Sequence, residues 1–261
     1  MRIALFTNTF TPHVGGVARS VAAFAGEYRR RGHRVLIVAP DFPDLPPHEA
    51  DVVRIPALQN FNASDFSVAL PLHADLGEAL DDFQPEIIHA HHPFLLGMTA
   101  LRVARYRDLP LVFTHHTLYE HYTHYVPGDS PTLQRFAIEL ATRYANLCDQ
   151  VFAPSESIQG LLRERGVSTP ISVVPTGVCL EDFAHGDGPG TRRALGIPDE
   201  AFVVGHLGRL APEKNLEFLA EAVADFVASQ PRAHYLVIGT GPSEAAMQTL
   251  FAQAGSAARL H

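Results

Sequence analysis

A chain of 261 residues has room for one large domain or two ordinary ones of roughly 100 to 200 residues each. Its 46% hydrophobic content can bury a sizeable core, and a formal net charge of −8, with arginines in short local groups, argues against sequence-independent binding to nucleic acid. Cys148 and Cys179 do not make a disulfide framework, and no apolar run approaches the ~18 residues of a membrane helix. The expectation is a cytoplasmic protein, soluble or peripheral at the inner face of a membrane.

The first apolar run, 3–6, meets Thr7 and Asn8 too soon for a signal-peptide core. Similar runs follow at 35–39, 52–55, 87–90, 111–114, 151–153 and 171–174. Strands buried on both faces have this pattern, and the intervening segments are long enough for crossover helices, so a doubly wound parallel α/β sheet is expected. In the first helix Val17, Val21, Phe24, Ala25 and Tyr28 line one stripe, and Arg29, Arg30 and Arg31 crowd its end before Gly32.

After Pro175 the composition shifts to a glycine-rich stretch with Gly186, Gly188, Pro189 and Gly190, which reads as a linker over 179–198 between a first domain, 1–178, and a second, 199–261. The second domain starts with a strand at 202–207, then Gly208-Arg209-Leu210-Ala211-Pro212-Glu213-Lys214-Asn215, which opens a helix with Leu216, Leu219, Ala220, Val223, Phe226 and Val227 on its buried stripe. A strand at 235–238, a Gly239-Thr240-Gly241-Pro242 turn, a helix over 243–254 and the entry to a further strand at Arg259 complete it. So few strands make a poor independent domain, and this one is expected to be cut off.

In doubly wound sheets, ligands gather outside the carboxyl ends of the strands. Thr11-Pro12-His13-Val14-Gly15-Gly16-Val17 follows the first strand, and its glycine pair either admits a ligand close to the backbone or only makes a tight turn. His89-Ala90-His91-His92-Pro93 has a His-x-His spacing that a metal-dependent hydrolase could use with His116, although no aspartate completes a binuclear site. In Thr114-His115-His116-Thr117-Leu118-Tyr119-Glu120, a histidine at a strand end can bond a sugar hydroxyl, move a proton near neutral pH, or be only structural. Tyr119, Tyr122 and Tyr125, with His121 and His124 between them, form either an aromatic face for a sugar or lipid head group or a half-buried helix side. Arg209 and Lys214 sit at a strand-to-helix junction, where phosphate can dock on a helix dipole.

Taken in order, Phe10-Thr11-Pro12-His13-Val14-Gly15-Gly16-Val17, Arg31-Gly32-His33-Arg34-Val35, His89-Ala90-His91, Val173-Val174-Pro175-Thr176-Gly177-Val178 and Gly208-Arg209 through Lys214-Asn215 resemble the landmarks of the family-four retaining glycosyltransferases, with two Rossmann-like domains in the GT-B arrangement. The stretch from Thr114 to Tyr122 is similar to that of bacterial diacylglycerol glucosyltransferases. The resemblance implies transfer of a hexose, with retention, from a nucleotide-diphosphate sugar such as UDP-glucose to an acceptor, possibly diacylglycerol, without an obligatory metal. It puts Gly15 and Gly16 at the donor phosphate, His116 facing the sugar as the catalytic candidate, Arg209 and Lys214 on the diphosphate, Gly241 in a turn near the nucleotide, and Tyr119, Glu120 and Tyr122 on the acceptor. The family's acidic E-x7-E segment, which holds donor hydroxyls and ribose, falls beyond the last residue, so a fragment, a shortened product or half of a split protein is expected. The alternative is a non-catalytic carbohydrate- or glycolipid-binding module, or one completed by a partner. The arginines at 29–31, 34, 102, 105 and 107 suggest a face for anionic lipid, against solvated helix ends.

Overall fold

The structure, a computed structural model, describes residues 1–43, 45, 49–59, 67–70, 74–125, 128, 130–178 and 180–261, with the side chains of residues 74, 124, 125 and 182 excepted. Cys179 and the side chains of His124 and Tyr125, invoked above, lie outside what is described. The chain divides into two compact units, Met1–Val178 and Cys179–His261.

In the N-terminal unit the elements are β1 (Arg2–Phe6), α1 (Gly16–Arg30), β2 (Arg34–Pro40), β3 (Val52–Ile55), β4 (Ala57–Leu58), β5 (Val68–Ala69), α2 (Ala74–Phe83), β6 (Ile87–Ala90), α3 (Leu96–Tyr106), β7 (Leu111–Thr114), a 3-10 helix (Tyr119–Tyr125), α4 (Pro131–Asn146), β8 (Gln150–Ala153), α5 (Glu156–Glu164) and β9 (Ile171–Val173). Seven strands form one parallel sheet in the order β3-β2-β1-β6-β7-β8-β9, and β4 pairs antiparallel with β5 in a small sheet of its own. The doubly wound sheet expected from the apolar runs is present.

Alternate residues of β1 show why the runs are uninterrupted. Ile3 and Leu5 pack with Val21 and Ala25 of α1 on one face. Ala4 and Phe6 join the opposite core, to which α2 to α5 contribute Leu80, Ala100, Tyr144 and Leu162. Both faces exclude water, and each fully buried Leu, Ile or Phe side chain contributes about 1.5–3 kcal/mol. Helix α1 ends as expected: Gly32, at φ 81, donates its N–H to Arg29 O, and His33 donates to Tyr28 O.

The C-terminal unit comprises a 3-10 turn (Leu180–Phe183), α6 (Gly188–Leu195), β10 (Phe202–Leu207), a 3-10 turn (Pro212–Lys214), α7 (Leu216–Ser229), β11 (Ala233–Ile238), α8 (Glu244–Gln253) and a 3-10 turn (Ala257–Arg259). Strands β10 and β11 pair in parallel, and Leu260 adds a parallel bridge to Tyr235. The core joins Leu216, Ala220, Val223 and Val227 of α7 to Tyr235 and Phe251, whose rings stack at 5.4 Å. Phe226, expected on the buried stripe, is instead 40% exposed and edge-on to Phe202, because Ala224 takes the inward position.

The glycine-rich stretch expected as a linker holds α6. Asp187 caps it by accepting from Gly190 N–H at 2.7 Å, Pro189 lies in its first turn, and Gly196 closes it at φ 67. Those glycines and the proline mark helix ends here.

Candidate functional site

Strand order reverses between β1 and β6: β2 and β3 run outward from β1, and β7 to β9 run outward from β6. Such a reversal parts the loops at the carboxyl ends of the two strands and leaves a crevice. Asn8, just past β1, holds the crevice together. Its backbone N–H donates to His92 Nδ1 at 3.1 Å, its side-chain amide donates to Phe94 O at 3.0 Å, and its Oδ1 accepts from Leu96 N–H at 3.0 Å. The last bond caps α3 from a distant segment. Leu95, at the cap position, has φ 52 and offers no side-chain acceptor. The motif reading had no role for Asn8, because only the fold brings these loops together.

The N-terminus of α1 opens beside β1. Gly15 is its N-cap in an extended conformation, φ −160, and, having no side chain, supplies no cap of its own. A Cβ on Gly16 would meet nothing within 4 Å, and one on Gly15 would meet only the His13 ring, at 3.0 Å. Neither glycine is required by a positive φ or by backbone crowding, so the turn alone does not account for the pair.

His89 in β6, His91 just after it and His116 after β7 come together on the α1 side of the sheet. His89 Nε2 is 2.7 Å from Thr114 Oγ1, and His91 Nδ1 is 2.9 Å from His116 Nε2. Phe24 of α1 covers His89 edge-on at 5.3 Å. Desolvation is the main cause that pushes His89 down to about 3 and His116 to about 4, and it takes His91 well below its ordinary value. At neutral pH these rings are uncharged imidazoles that donate or accept hydrogen bonds and carry no positive charge. Among the described residues no group of three or more His, Cys, Asp or Glu side chains is arranged to hold a metal ion. The hydrolase arrangement of His89, His91 and His116 is not formed: two of the rings bond each other in place of converging on a common point.

The acceptor candidates lie in a partly buried segment. The segment Tyr119–Tyr125 is a 3-10 helix, whose three residues per turn align positions 119 and 122. Tyr119 does not line an open face. It is 9% exposed and packs edge-on to Phe94 and His115, with ring centroids at 5.3 and 5.6 Å. Glu120 is held by Arg165, whose guanidinium lies 2.5 Å from its Oε1, with side chains 11% and 18% exposed. Tyr122 is half-buried. The rings of Phe94 and His115 enclose Tyr119, and Arg165 at the end of α5 supplies the cation for Glu120.

In the C-terminal unit, Gly208 continues the chain out of β10, and the 3-10 turn carries Lys214 on an exposed position. The helix proper begins only after Asn215, which is left-handed at φ 50, so Arg209 and Lys214 precede the helix instead of lying in its first turn. Arg209 pairs with Glu213. Leu210 N–H donates to Thr240 O at 2.9 Å, and Ser243 N–H donates to Leu210 O at 3.0 Å, so the loops after β10 and β11 are stitched together. Gly241 permits this: at φ 154, any Cβ would lie 2.2 Å from Leu210 O.

Of the arginines read as a lipid-facing group, Arg30 and Arg31 pair with Glu27, Arg29 with Asp51, and Arg107 with Asp81, while Arg105 bonds Leu147 O. No helix among the described residues is long and apolar enough to cross a membrane.

A doubly wound parallel sheet with its switch point between β1 and β6, followed by a strand–turn–helix unit with a basic loop, is an α/β architecture of the GT-B type. Residues 14–182 match the model of Glycosyltransferase Family 4, and residues 189–261 match that of Glycosyl transferases group 1, so the chain belongs to Glycosyltransferase Family 4. It is 31% identical over 93% of its length to an alpha-monoglucosyldiacylglycerol synthase of Streptococcus pneumoniae, covering 56% of that protein. It is 28% identical to the synthase of the same name from Acholeplasma laidlawii, over 96% of its length and 66% of that protein. It is also 29% identical to a GDP-mannose-dependent alpha-mannosyltransferase of Mycobacterium tuberculosis, over 95% of its length and 65% of that protein. The chain therefore spans about half to two thirds of these relatives. Its fold matches that of sucrose-phosphate synthase from Thermosynechococcus elongatus with a TM-score of 0.74 at 19% identity, covering 100% of this chain and 69% of that one. The Anabaena HepE structure in complex with UDP matches at 0.71 and 20% identity, over 100% and 68% of the two chains.

Proposed function

We propose that the chain provides the acceptor-side domain and the diphosphate-binding start of the donor-side domain of a retaining glycosyltransferase, which moves a hexose from UDP-glucose or a similar nucleotide sugar to a lipid such as diacylglycerol. The observation that carries this reading is the reversal of strand order between β1 and β6, with the N-terminus of α1 at Gly15 and Gly16 following β1 and the neutral His116, held on His91, following β7. Backbone N–H groups at an uncapped helix start favour phosphate, and open space at Gly16 lets it approach. A neutral imidazole at His116 suits a sugar hydroxyl better than a phosphate.

Charge develops on the departing diphosphate as the sugar becomes cationic, so Arg209 and Lys214 act where stabilisation matters. Glu213 orients the Arg209 guanidinium for that contact. The acceptor hydroxyl attacks from the face the diphosphate leaves and passes its proton to that phosphate, so no enzymic nucleophile is assigned. The diacylglycerol synthases among the relatives support a lipid acceptor and a glucosyl donor, and the GDP-mannose enzymes supply the competing donor. The half-buried Tyr122 remains the acceptor contact, with Glu120 and Tyr119 shaping the wall behind it.

Calorimetric titration of this chain with UDP, UDP-glucose and GDP tests the reading. Binding of UDP and UDP-glucose at millimolar or tighter affinity, lost in Lys214→Ala, is the expected result. Preference for GDP moves the donor to the mannosyl class, and a folded chain that binds no nucleotide refutes the diphosphate assignment.

A further inference from the structure

The imidazoles beside the crevice are stacked in a way that makes them unequal. His89 and His91 lie 4.2 Å apart between ring centroids, and His91 and His116 lie 5.2 Å apart at an interplanar angle of 21°. His91 is fully buried in the middle, with Phe24 at 5.8 Å. Its Nδ1 is 2.9 Å from His116 Nε2, while its own Nε2 is buried and has no hydrogen-bond partner among the described residues. His116 is the half-buried end of the stack.

Two arrangements of protons can make the His91–His116 bond. If His116 Nε2–H donates, the His91 proton must sit on Nε2, where a buried N–H has nothing to bond. If His91 Nδ1–H donates, His91 Nε2 is only an unused lone pair. An orphaned buried donor is the rarer and costlier of the two in folded proteins. The bond one ring nitrogen makes decides where the other carries its proton. Burial keeps both rings uncharged at neutral pH, so a doubly protonated ring does not compete.

We propose that His91 is a positioning residue that locks His116 in its Nδ1–H tautomer, which makes the outward nitrogen of His116 an obligate hydrogen-bond donor and withdraws its Nε2 from proton transfer. The functional consequence rests on the reading of His116 as a sugar-facing residue: it would donate to a hydroxyl or ether oxygen of the sugar and could not act as the base for the acceptor. The tautomer itself does not depend on that reading.

The test is long-range proton–nitrogen correlation of the 261-residue chain labelled with nitrogen-15 histidine at neutral pH, with His116→Gln to assign the resonances. The expected spectrum has Nδ1 protonated and Nε2 bare in both His91 and His116. In His91→Phe, which keeps a stacked ring but has no donor, the His116 signals should shift to those of the Nε2–H form or of a mixture. A wild-type His116 with its proton on Nε2 overturns the proposal, and so does a His116 tautomer unchanged in a folded His91→Phe. Should that variant not fold, the wild-type spectrum decides alone. Separately, UDP-glucose titration of His116→Ala addresses the sugar-facing role: unchanged affinity would remove that role, while the tautomer assignment would stand on the spectra.

Discussion

Asn8 donates its backbone N–H to His92 Nδ1 at 3.1 Å, joining the loop after β1 to the loop after β6 across 84 residues of sequence. The same asparagine supplies the acceptor for Leu96 N–H and the donor for Phe94 O, and its side chain is nearly inaccessible, at 2% exposure. Asn8→Ala leaves the buried Leu96 N–H without its acceptor, at about 1–3 kcal/mol, while Phe94 O keeps the bond it accepts from Gly97 N–H. The expected outcome is a urea midpoint lowered by an equivalent of about 1–3 kcal/mol in far-UV circular dichroism. A change under about 0.5 kcal/mol would mean that water replaces the lost bond.

Gly16 and Gly241 should respond in opposite ways to the same substitution. Gly16→Ala places a methyl in open space at a helix start, where alanine is favoured by up to about 1 kcal/mol, so stability is retained or rises while binding of UDP-glucose weakens. Gly241→Ala forces a Cβ into Leu210 O at a positive φ, so the C-terminal unit loses stability by about 2 kcal/mol or more and UDP binding falls with it. Thermal melts and calorimetry on both variants check this. Destabilisation by Gly16→Ala would restore the simple-turn reading.

Loss of either cation from the diphosphate site removes a charge-assisted contact worth about 1.5–3 kcal/mol. Arg209→Ala and Lys214→Ala should therefore each weaken UDP binding by roughly ten- to a hundredfold. Arg209→Ala also releases Glu213, which is only 8% exposed, so its effect should exceed that of Lys214→Ala. Equal binding by wild type and both variants would show that the nucleotide sits elsewhere.

Acid should destabilise the N-terminal unit early. Burial holds His89 and His92 at about 3 and His115 and His116 at about 4, all below the ordinary 6.5. As pH falls below 6.5 the unfolded chain takes up protons that the folded chain refuses. The stability present above 6.5 is therefore lost progressively down to pH 3–4, at about 1.4 kcal/mol per pH unit for each such histidine. Melting temperature should drop steeply between pH 7 and pH 5, before most carboxylates titrate. A flat profile over that interval would mean that water reaches these rings.

Arg165→Met strands the Glu120 carboxylate in a largely closed setting, where breaking a buried pair costs about 3 kcal/mol. The double variant Glu120→Gln with Arg165→Met should recover a substantial part of that loss. Simple additivity in the double-mutant cycle would deny the coupling.

Much of the scaffold was legible in the sequence. The apolar runs read at 52–55, 87–90, 111–114 and 202–207 coincide with β3, β6, β7 and β10. A strand buried on both faces, as β6 and β7 are, must be largely apolar and must stop where its polar loop meets water, so its limits are written locally. Within the stretch read as a linker, composition did not reveal α6, where Asp187, Pro189 and Gly196 mark helix ends.

The site was legible as a set of residue types at strand ends and no further. Which strand lies beside which is decided by pairing over long separations, to which a local period is blind. Only the tertiary structure placed His91 against His116 across 25 residues, Glu120 against Arg165 across 45, and Tyr119 inside the wall. By itself the sequence determined the alternating α/β pattern, the family and the chemical inventory, because local periodicity and ordered motifs carry those. Tertiary structure decided which of those groups are paired, buried and neutral, because adjacency and desolvation exist only once the sheet is assembled.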